Sequence, residues 1–227
     1  MKILILGKGR LGTELHTQTN WDCISRKEHD IDFTDTESYQ NYLDGYDCVI
    51  NCIANCNTYS SNKDEHWDVN YKGVANLVDM CNDKNIRLVH ISTDYVYTHS
   101  VSNASEDDVP VHCRNWYGYT KLLSDGYVQL KSNDYLLVRT NFQEKPFPHP
   151  KGWLIKGNFD YVDVIVGKII SLIKGNHTGL FNVGTELKTY YELGKRTNPE
   201  LLPSSSDDDS TPSDVSMNVN KIEELGI

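Results

Sequence analysis

The sequence predicts an α/β fold in which a parallel sheet is covered by helices on both faces. Three observations carry that expectation. Short apolar runs alternate with longer runs of helical spacing through roughly the first two thirds of the chain, which is the pattern of strand–helix–strand units. The runs Lys2–Leu6, Asp47–Ile53 and Arg87–Ser92 are near-continuously apolar, as strands buried on both faces must be. The first of them ends in a glycine turn that opens a helix.

Taken in order, Lys2 to Leu6 is the first strand, Gly7-Lys8-Gly9-Arg10-Leu11-Gly12 the turn, and Thr13-Glu14-Leu15 the start of the helix. Glycines let the backbone approach a pyrophosphate closely, and the free N–H groups of a helix N-terminus hold it. Trp21 to Ser25 reads as a second strand closing at Ser25-Arg26-Lys27. At this place in a dinucleotide site a carboxylate suits a free ribose 2′-hydroxyl, whereas an arginine suits a 2′-phosphate. Arg26 therefore favours NADP(H), while Glu28 keeps NAD(H) open; the plain alternative is a solvated turn. Thr36 to Leu43 reads as a short helix started by Thr34-Asp35, and Asp47 to Ile53 as the third strand, ending at Ala54-Asn55-Cys56-Asn57. Lys63 to Cys81 is the longest helical pattern, with Trp67, Val74, Leu77 and Val78 among its apolar positions. Arg87 to Ser92 is the next strand, with Thr93 at its end.

Ser100 to Arg114 is polar and acidic, a solvated loop by composition. Asn115 to Gln129 reads as a helix and Tyr135 to Arg139 as a strand. Asn141 to Phe159 turns irregular, with Pro146, Pro148, Pro150 and Gly152; Tyr161 to Ile173 is an apolar-rich helix and Gly179 to Val183 a short strand. Leu202 to Ser213 is low-complexity Ser/Asp/Pro and is expected to be a mobile loop. Parallel sheets bind ligands at the carboxyl ends of their strands. Gly7–Gly12, Ala54 and Thr93 all fall at such ends, so they are expected to share one site.

At 227 residues the chain is long enough for one domain with a proper core, and 38% hydrophobic with 24% charged residues describes a globular protein. A net charge of −10 argues against a nucleic-acid partner. The N-terminal apolar run is too short for a signal peptide or a membrane span, so no membrane association and a cytoplasmic location are expected. The six cysteines (Cys23, Cys48, Cys52, Cys56, Cys81 and Cys113) lack metal-ligand spacing and read as buried, reduced thiols, with no metal expected.

The chemistry is concentrated in Trp116-Tyr117-Gly118-Tyr119-Thr120-Lys121. Tyr117 and Lys121 are four apart at the head of a helical run, so both side chains face the same way. An ammonium beside a phenol favours the phenolate and is expected to pull the tyrosine pKa down. Thr93 can hold a substrate oxygen. These are the groups that reduction of a carbonyl needs; a Tyr and a Lys at this spacing also mark ordinary amphipathic surfaces, and the context decides.

With these residues in place, the chain resembles the extended short-chain dehydrogenase/reductases, and within them the dTDP-4-dehydrorhamnose reductases. Ser92-Thr93-Asp94-Tyr95-Val96-Tyr97 is similar to that family's S-T-D-Y-V-F segment, and Tyr117-x3-Lys121 follows at the family's spacing. Asn51-Cys52-Ile53-Ala54 stands where the family has N-A-A-A, and Asp32-Phe33, Asn70 with Gly73, Val138-Arg139-Thr140 and Asn182-Val183-Gly184 fall in family order. The resemblance implies a Rossmann-type doubly wound parallel sheet over residues 1–140, with a small substrate-binding subdomain over 141–227 interleaved with it.

It implies further that Tyr117 is the general acid, that Lys121 binds the nicotinamide ribose, and that Thr93 hydrogen-bonds a keto oxygen. Gly7, Gly9, Arg10, Leu11 and Gly12 would hold the pyrophosphate and Ser25 with Arg26 a 2′-phosphate. Asp32 and Phe33 would lie along the adenine, and Cys52, Ile53 and Ala54 along the cofactor backbone. Asp94, Tyr95 and Phe142 would flank the substrate, a nucleotide sugar with a 4-keto-6-deoxy ring; a homodimer is compatible with the family. The chain departs from the family in a phosphate loop one residue shorter, in lacking glycine at Thr98-His99, and in a much shortened segment from Phe142 to Asp160. The rival expectations are a nucleotide-sugar epimerase or dehydratase, for which Asp94 fills the acid/base slot, and a non-catalytic NADP-binding regulatory subunit.

Overall fold

The first apolar run becomes β1 (Ile3–Leu6), and its alternation sets up both halves of the core. Ile3 and Ile5 point to one face of the sheet and Leu4 and Leu6 to the other, all four fully or nearly fully buried. The computed structural model describes residues 1–98, 101–108, 115–205 and 212–227. After β1 the chain forms α1 (Arg10–Thr19), β2 (Asp22–Ile24) and the short α2 (Arg26–His29), then β3 (Cys48–Asn51). A continuous helical stretch follows, built from α3 (Lys63–His66), a π-helical segment (Trp67–Lys72) and α4 (Gly73–Asp83). Next come β4 (Arg87–Thr93), α5 (Trp116–Lys131), β5 (Tyr135–Thr140), and the two-residue or three-residue strands β6 (Phe142–Gln143), β7 (Lys151–Trp153), β8 (Lys156–Gly157) and β9 (Asp160–Tyr161). The chain closes through α6 (Val162–Lys174), β10 (Gly179–Val183), β11 (Lys188–Thr189), α7 (Tyr190–Lys195), β12 (Leu202–Ser204) and α8 (Asn220–Glu223).

The described residues form a six-stranded sheet in the order β10-β5-β4-β3-β1-β2, parallel throughout. On one face α1 and α6 pack with Leu11, Leu15, Ile165 and Ile169; on the other α4 and α5 pack with Val74, Leu77, Val78 and Val128. Strand order reverses between β1 and β3, since β2 lies on one side of β1 and β3 on the other. A crevice therefore opens beyond the carboxyl ends of those two strands, the place where sheets of this kind take ligands. This is the doubly wound Rossmann-type α/β fold that the sequence predicts.

The later half of the chain is shared between the sheet and a smaller lobe. Strand β10 extends the sheet edge, and α6 belongs to its main core. A separate apolar cluster of Phe147, Ile155, Phe159, Tyr161, Tyr190, Leu193, Leu201 and Val215 holds the remaining segments together above the carboxyl edge. Among the described residues no helix is long and apolar enough to cross a membrane.

Several expectations are corrected. The short helix expected over Thr36 to Leu43 is two 3-10 turns, Thr36–Ser38 and Gln40–Leu43, the first capped by Asp35. The segment from Leu202 is not all loop, because Leu202–Ser204 pairs in parallel with Lys151–Trp153; residues 206–211 of it lie outside the described residues. The acidic run after Ser100 is anchored rather than simply solvated. Glu106 accepts the backbone N–H of Asn182 at 2.9 Å, and Asp108 accepts that of Ser105 at 2.7 Å. Residues 109–114 of that run, Pro110 and Cys113 among them, lie outside the described residues, as does His99. Cys48 and Cys81 are buried free thiols as expected, but Cys56 is exposed because it lies past the end of β3 in a loop at the crevice.

Candidate active site

The glycine turn is shaped by contacts only glycine permits at two positions. Gly7 has φ of +100°, and a Cβ on Gly12 would fall 1.9 Å from the carbonyl oxygen of Gly7, so α1 can start this close to β1 only without one. Gly9 differs: its φ of −78° suits any residue, and a Cβ there would meet nothing within 4 Å. Gly9 is the N-cap of α1 and faces open space, so the first N–H groups of the helix point toward the crevice without intrahelical partners. A helix start of this kind can take an anionic group.

Two adjoining cavities lie along the carboxyl edge, of about 580 and about 500 Å³, and Gly9, Cys52, Ala54 and Cys56 line both. The larger is lined by Gly7, Ser25, Arg26, Asp32, Phe33 and Ile53 among others. Arg26 is exposed in the first turn of α2, a short helix where a plain turn was the alternative. Glu28 is engaged by Lys8, whose Nζ donates to its carboxylate at 2.7 Å and holds the carboxyl below its ordinary value. Asp32 is likewise held low, by the backbone N–H and hydroxyl of Thr34 at 2.9 and 2.8 Å. Arg26 and Lys27 face this cavity from α2 beside carboxylates that already have donors, an arrangement suited to a phosphate more than to a diol.

The smaller cavity is lined by Arg10, Leu11, Thr93, Tyr95, Tyr117, Lys121 and Phe142. Asn115 caps α5 by accepting the N–H of Gly118 at 2.7 Å, which places Tyr117 and Lys121 on the first two turns facing β4. Tyr117 and Thr93 line the same cavity. The Tyr117 pKa is raised, not lowered as the sequence suggests: burial is the main cause, with Cys56 adding and Thr93 opposing. The reason is where Lys121 goes. Its Nζ is turned down to the carbonyl oxygen of Ile91 at 2.8 Å and to His90 Nε2 at 3.1 Å, and burial lowers its own pKa, with Asp125 opposing.

Asp94 is the second correction. It is fully buried beneath the cavity instead of lining it. Its carboxylate accepts from Thr93 Oγ1 at 3.3 Å and from Asn141 Nδ2 at 2.9 Å, and burial pushes its pKa up to about 7 against those hydrogen bonds. Asn141 takes the exposed role, lining the cavity and donating to the hydroxyl of Tyr190 at 2.6 Å. Gly12 lines neither cavity; it holds the loop's shape.

Sequence reasoning passed over Asn141, Tyr190 and His90. Asn141 follows β5 directly, so the shared-edge argument that found Ala54 and Thr93 would have found it too. Tyr190 is brought in by α7, which the capping box of Thr189 and Glu192 announces, and it stacks on Phe159 with ring centroids 3.9 Å apart. Asn70, in the π-helical segment, accepts the N–H of Asn55 at 2.8 Å and donates to its carbonyl oxygen at 3.0 Å, fixing the loop that forms the wall between the cavities.

Known proteins share this fold. The chain is 32% identical over 141 residues to a probable low-salt glycan biosynthesis reductase of Haloferax volcanii, covering 60% of this chain and 46% of that protein. It is 28% identical over 204 residues to a dTDP-4-keto-6-deoxy-D-glucose reductase of Streptomyces niveus, covering 78% of this chain and 69% of the relative. The chain therefore spans less than half of the first of these relatives. The fold matches a crystal structure of dTDP-4-dehydrorhamnose reductase from Bacillus anthracis in complex with NADP, with a TM-score of 0.86 at 22% identity over 100% of this chain and 94% of that one. Residues 1–143 match the RmlD substrate binding domain, and with a Rossmann-type sheet, a glycine loop and the Thr93–Tyr117–Lys121 cluster in one crevice, the chain belongs to that family of extended short-chain dehydrogenase/reductase-like proteins.

Proposed function

We propose that this protein is an NADP(H)-dependent reductase of a 4-keto-6-deoxy sugar carried on a nucleoside diphosphate. The observation that carries the proposal is the convergence of Thr93, Tyr117 and Lys121 on a cavity that adjoins the glycine loop. When bound, the nicotinamide supplies the hydride. Tyr117 is the proton donor to the alkoxide that develops at the keto carbon; its raised pKa keeps the phenol protonated until the substrate draws the proton away. Thr93 orients the keto oxygen beside the phenol, and Lys121 holds the ribose. Gly9, Arg10 and Leu11 at the head of α1 hold the pyrophosphate and Arg26 the 2′-phosphate, with Phe33, Asp32 and Ile53 along the adenine side. Tyr95, Phe142 and Asn141 flank the sugar. The named activities of the Streptomyces niveus relative and the NADP in the Bacillus anthracis structure support the same choice.

The burial of Asp94 tells against a dehydratase, since a carboxylate that cannot reach substrate cannot exchange its proton with it. The test is to incubate the protein with NADPH and with dTDP- or UDP-linked 4-keto-6-deoxy sugars and to follow loss of the reduced nicotinamide's absorbance. Sugar-dependent oxidation is expected. NADPH binding without reduction of any such sugar would replace this reading with that of a regulatory subunit.

A further inference from the structure

Behind Tyr117 and Lys121 lies a second row of polar groups that the proposed chemistry does not use. His90 sits mid-strand in β4 with no exposure. Its Nε2 is 3.1 Å from Lys121 Nζ and its Nδ1 is 3.2 Å from Asn51 Nδ2. A neutral imidazole has one N–H, so one ring nitrogen donates and the other accepts. Asn51 decides which. Its Oδ1 accepts the backbone N–H of Ile53 at 3.0 Å, and because that group can only donate, the amide cannot be turned round. Asn51 Nδ2 then faces the ring as a donor, Nδ1 is the acceptor, and the proton sits on Nε2.

The other side of the ring agrees. Ser124 Oγ, 3.5 Å from Nε2, gives its own proton to the carbonyl oxygen of Lys121 at 2.8 Å and so meets the ring with a lone pair. Lys121 Nζ gives a proton to the carbonyl oxygen of Ile91 at 2.8 Å. An ammonium has three donors and no acceptor, whereas an amine keeps a lone pair for the ring N–H.

We propose that Asn51 and His90 are positioning residues for Lys121: they turn an N–H rather than a lone pair toward its Nζ, and so favour its uncharged form in the free protein. The groups around Lys121 are Tyr117 and Asp125 on its own helix, His90 on β4, and Cys52 and Cys56 beyond β3. Asp125 is paired with Arg139 of β5 at 2.9 Å, which leaves it a weakened counter-charge for the lysine. Burial acts on Lys121 in the same direction as the ring. Only the kinetic consequence rests on the reductase reading; the placement of the proton does not.

The test is NMR of protein with ¹³C,¹⁵N-labelled histidine and lysine, the His90 signals being identified by their loss in His90→Gln. A neutral ring protonated on Nε2 is expected across roughly pH 6 to 8, the range in which free histidine changes charge. Asn51→Asp keeps an oxygen for Ile53 and puts a second one where the amide nitrogen stood. The ring proton should move to Nδ1, Nε2 should become an acceptor, and the pH at which Lys121 titrates should rise by at least about one unit, a tenfold change. If Asn51→Asp does not fold, His90→Gln, which removes the ring N–H, should move Lys121 in the same direction. In turnover, the limb of the pH profile governed by Lys121 should shift with it, where a merely structural role would lower turnover equally at every pH. A wild-type ring protonated on Nδ1, an imidazolium at neutral pH, or an inverted ring with an unmoved lysine overturns the proposal. The NMR is read without substrate, so failure to reduce any sugar would remove the reductase reading and leave this one to be decided by the ring proton.

Discussion

Asp94 shows how a single buried group links the site to the stability of the chain. Its carboxyl, ordinarily near 3.8, is pushed up to about 7 by burial. Between those two values the folded protein holds a proton that the unfolded chain has released. Its contribution is therefore fully present below about pH 4 and is lost as pH rises through 7, by up to about 1.4 kcal/mol per unit. Asp94→Asn, which cannot titrate, should lose this slope: denaturant midpoints should show the wild type falling relative to the variant between roughly pH 5 and 7, then running level. A difference that stays constant over that window would mean the carboxyl is not buried. Arg26 makes the second prediction at this scale. With Glu28 held by Lys8, the Arg26 guanidinium beside Lys27 is what the larger cavity offers a phosphate. Arg26→Ala should weaken NADPH at least about tenfold while leaving NADH nearly unchanged, because only NADPH presents the group a guanidinium pairs with. Equal losses for both, measured by fluorescence titration, would count against the assignment.

At the scale of elements, the glycine loop separates what the fold needs from what a ligand needs. Gly12→Ala would drive a Cβ into the Gly7 carbonyl and should destabilise the protein by about 1–3 kcal/mol or prevent folding. Gly9→Ala meets no neighbour and should melt as the wild type does, yet bind NADPH at least about tenfold more weakly, since its methyl group stands in the crevice. A Gly9→Ala protein of undiminished affinity would place the pyrophosphate elsewhere. The strands and main helices were legible in the sequence for a physical reason. The runs Ile3–Leu6 and Cys48-Val49-Ile50 are buried on both faces and so carry an apolar signal at every position. The role of Asn70 was not legible, because its side-chain bonds to Asn55 and Thr120 join it to distant parts of the chain. His90 was hidden for a related reason: within an apolar strand it reads as one more buried residue until its partners are known.

Over the whole molecule, the crevice belongs to the sheet while its outer wall belongs to the small lobe. The residues read from the sequence at strand ends, Gly9, Ala54 and Thr93, come together as expected. Those supplied by the lobe were not seen, since Tyr190 reaches the cavity through pairings such as β11 with β8 that no local pattern encodes. On the proposed function, a segment from Phe142 to Asp160 shorter than the family's would leave fewer groups to grip a remote nucleotide, whose contacts help drive reaction at the sugar. Reduction is therefore expected with a high KM and with weak discrimination between dTDP- and UDP-linked substrates; a submicromolar KM with sharp preference for one nucleotide would show that Pro146 to Trp153 replaces those contacts. The most direct measurement of the central claim is turnover in Tyr117→Phe, with NADPH affinity and melting temperature recorded on the same preparation. The account predicts a loss of about 10²–10⁴-fold in kcat with affinity and melting temperature unchanged. Undiminished turnover in that variant would contradict it.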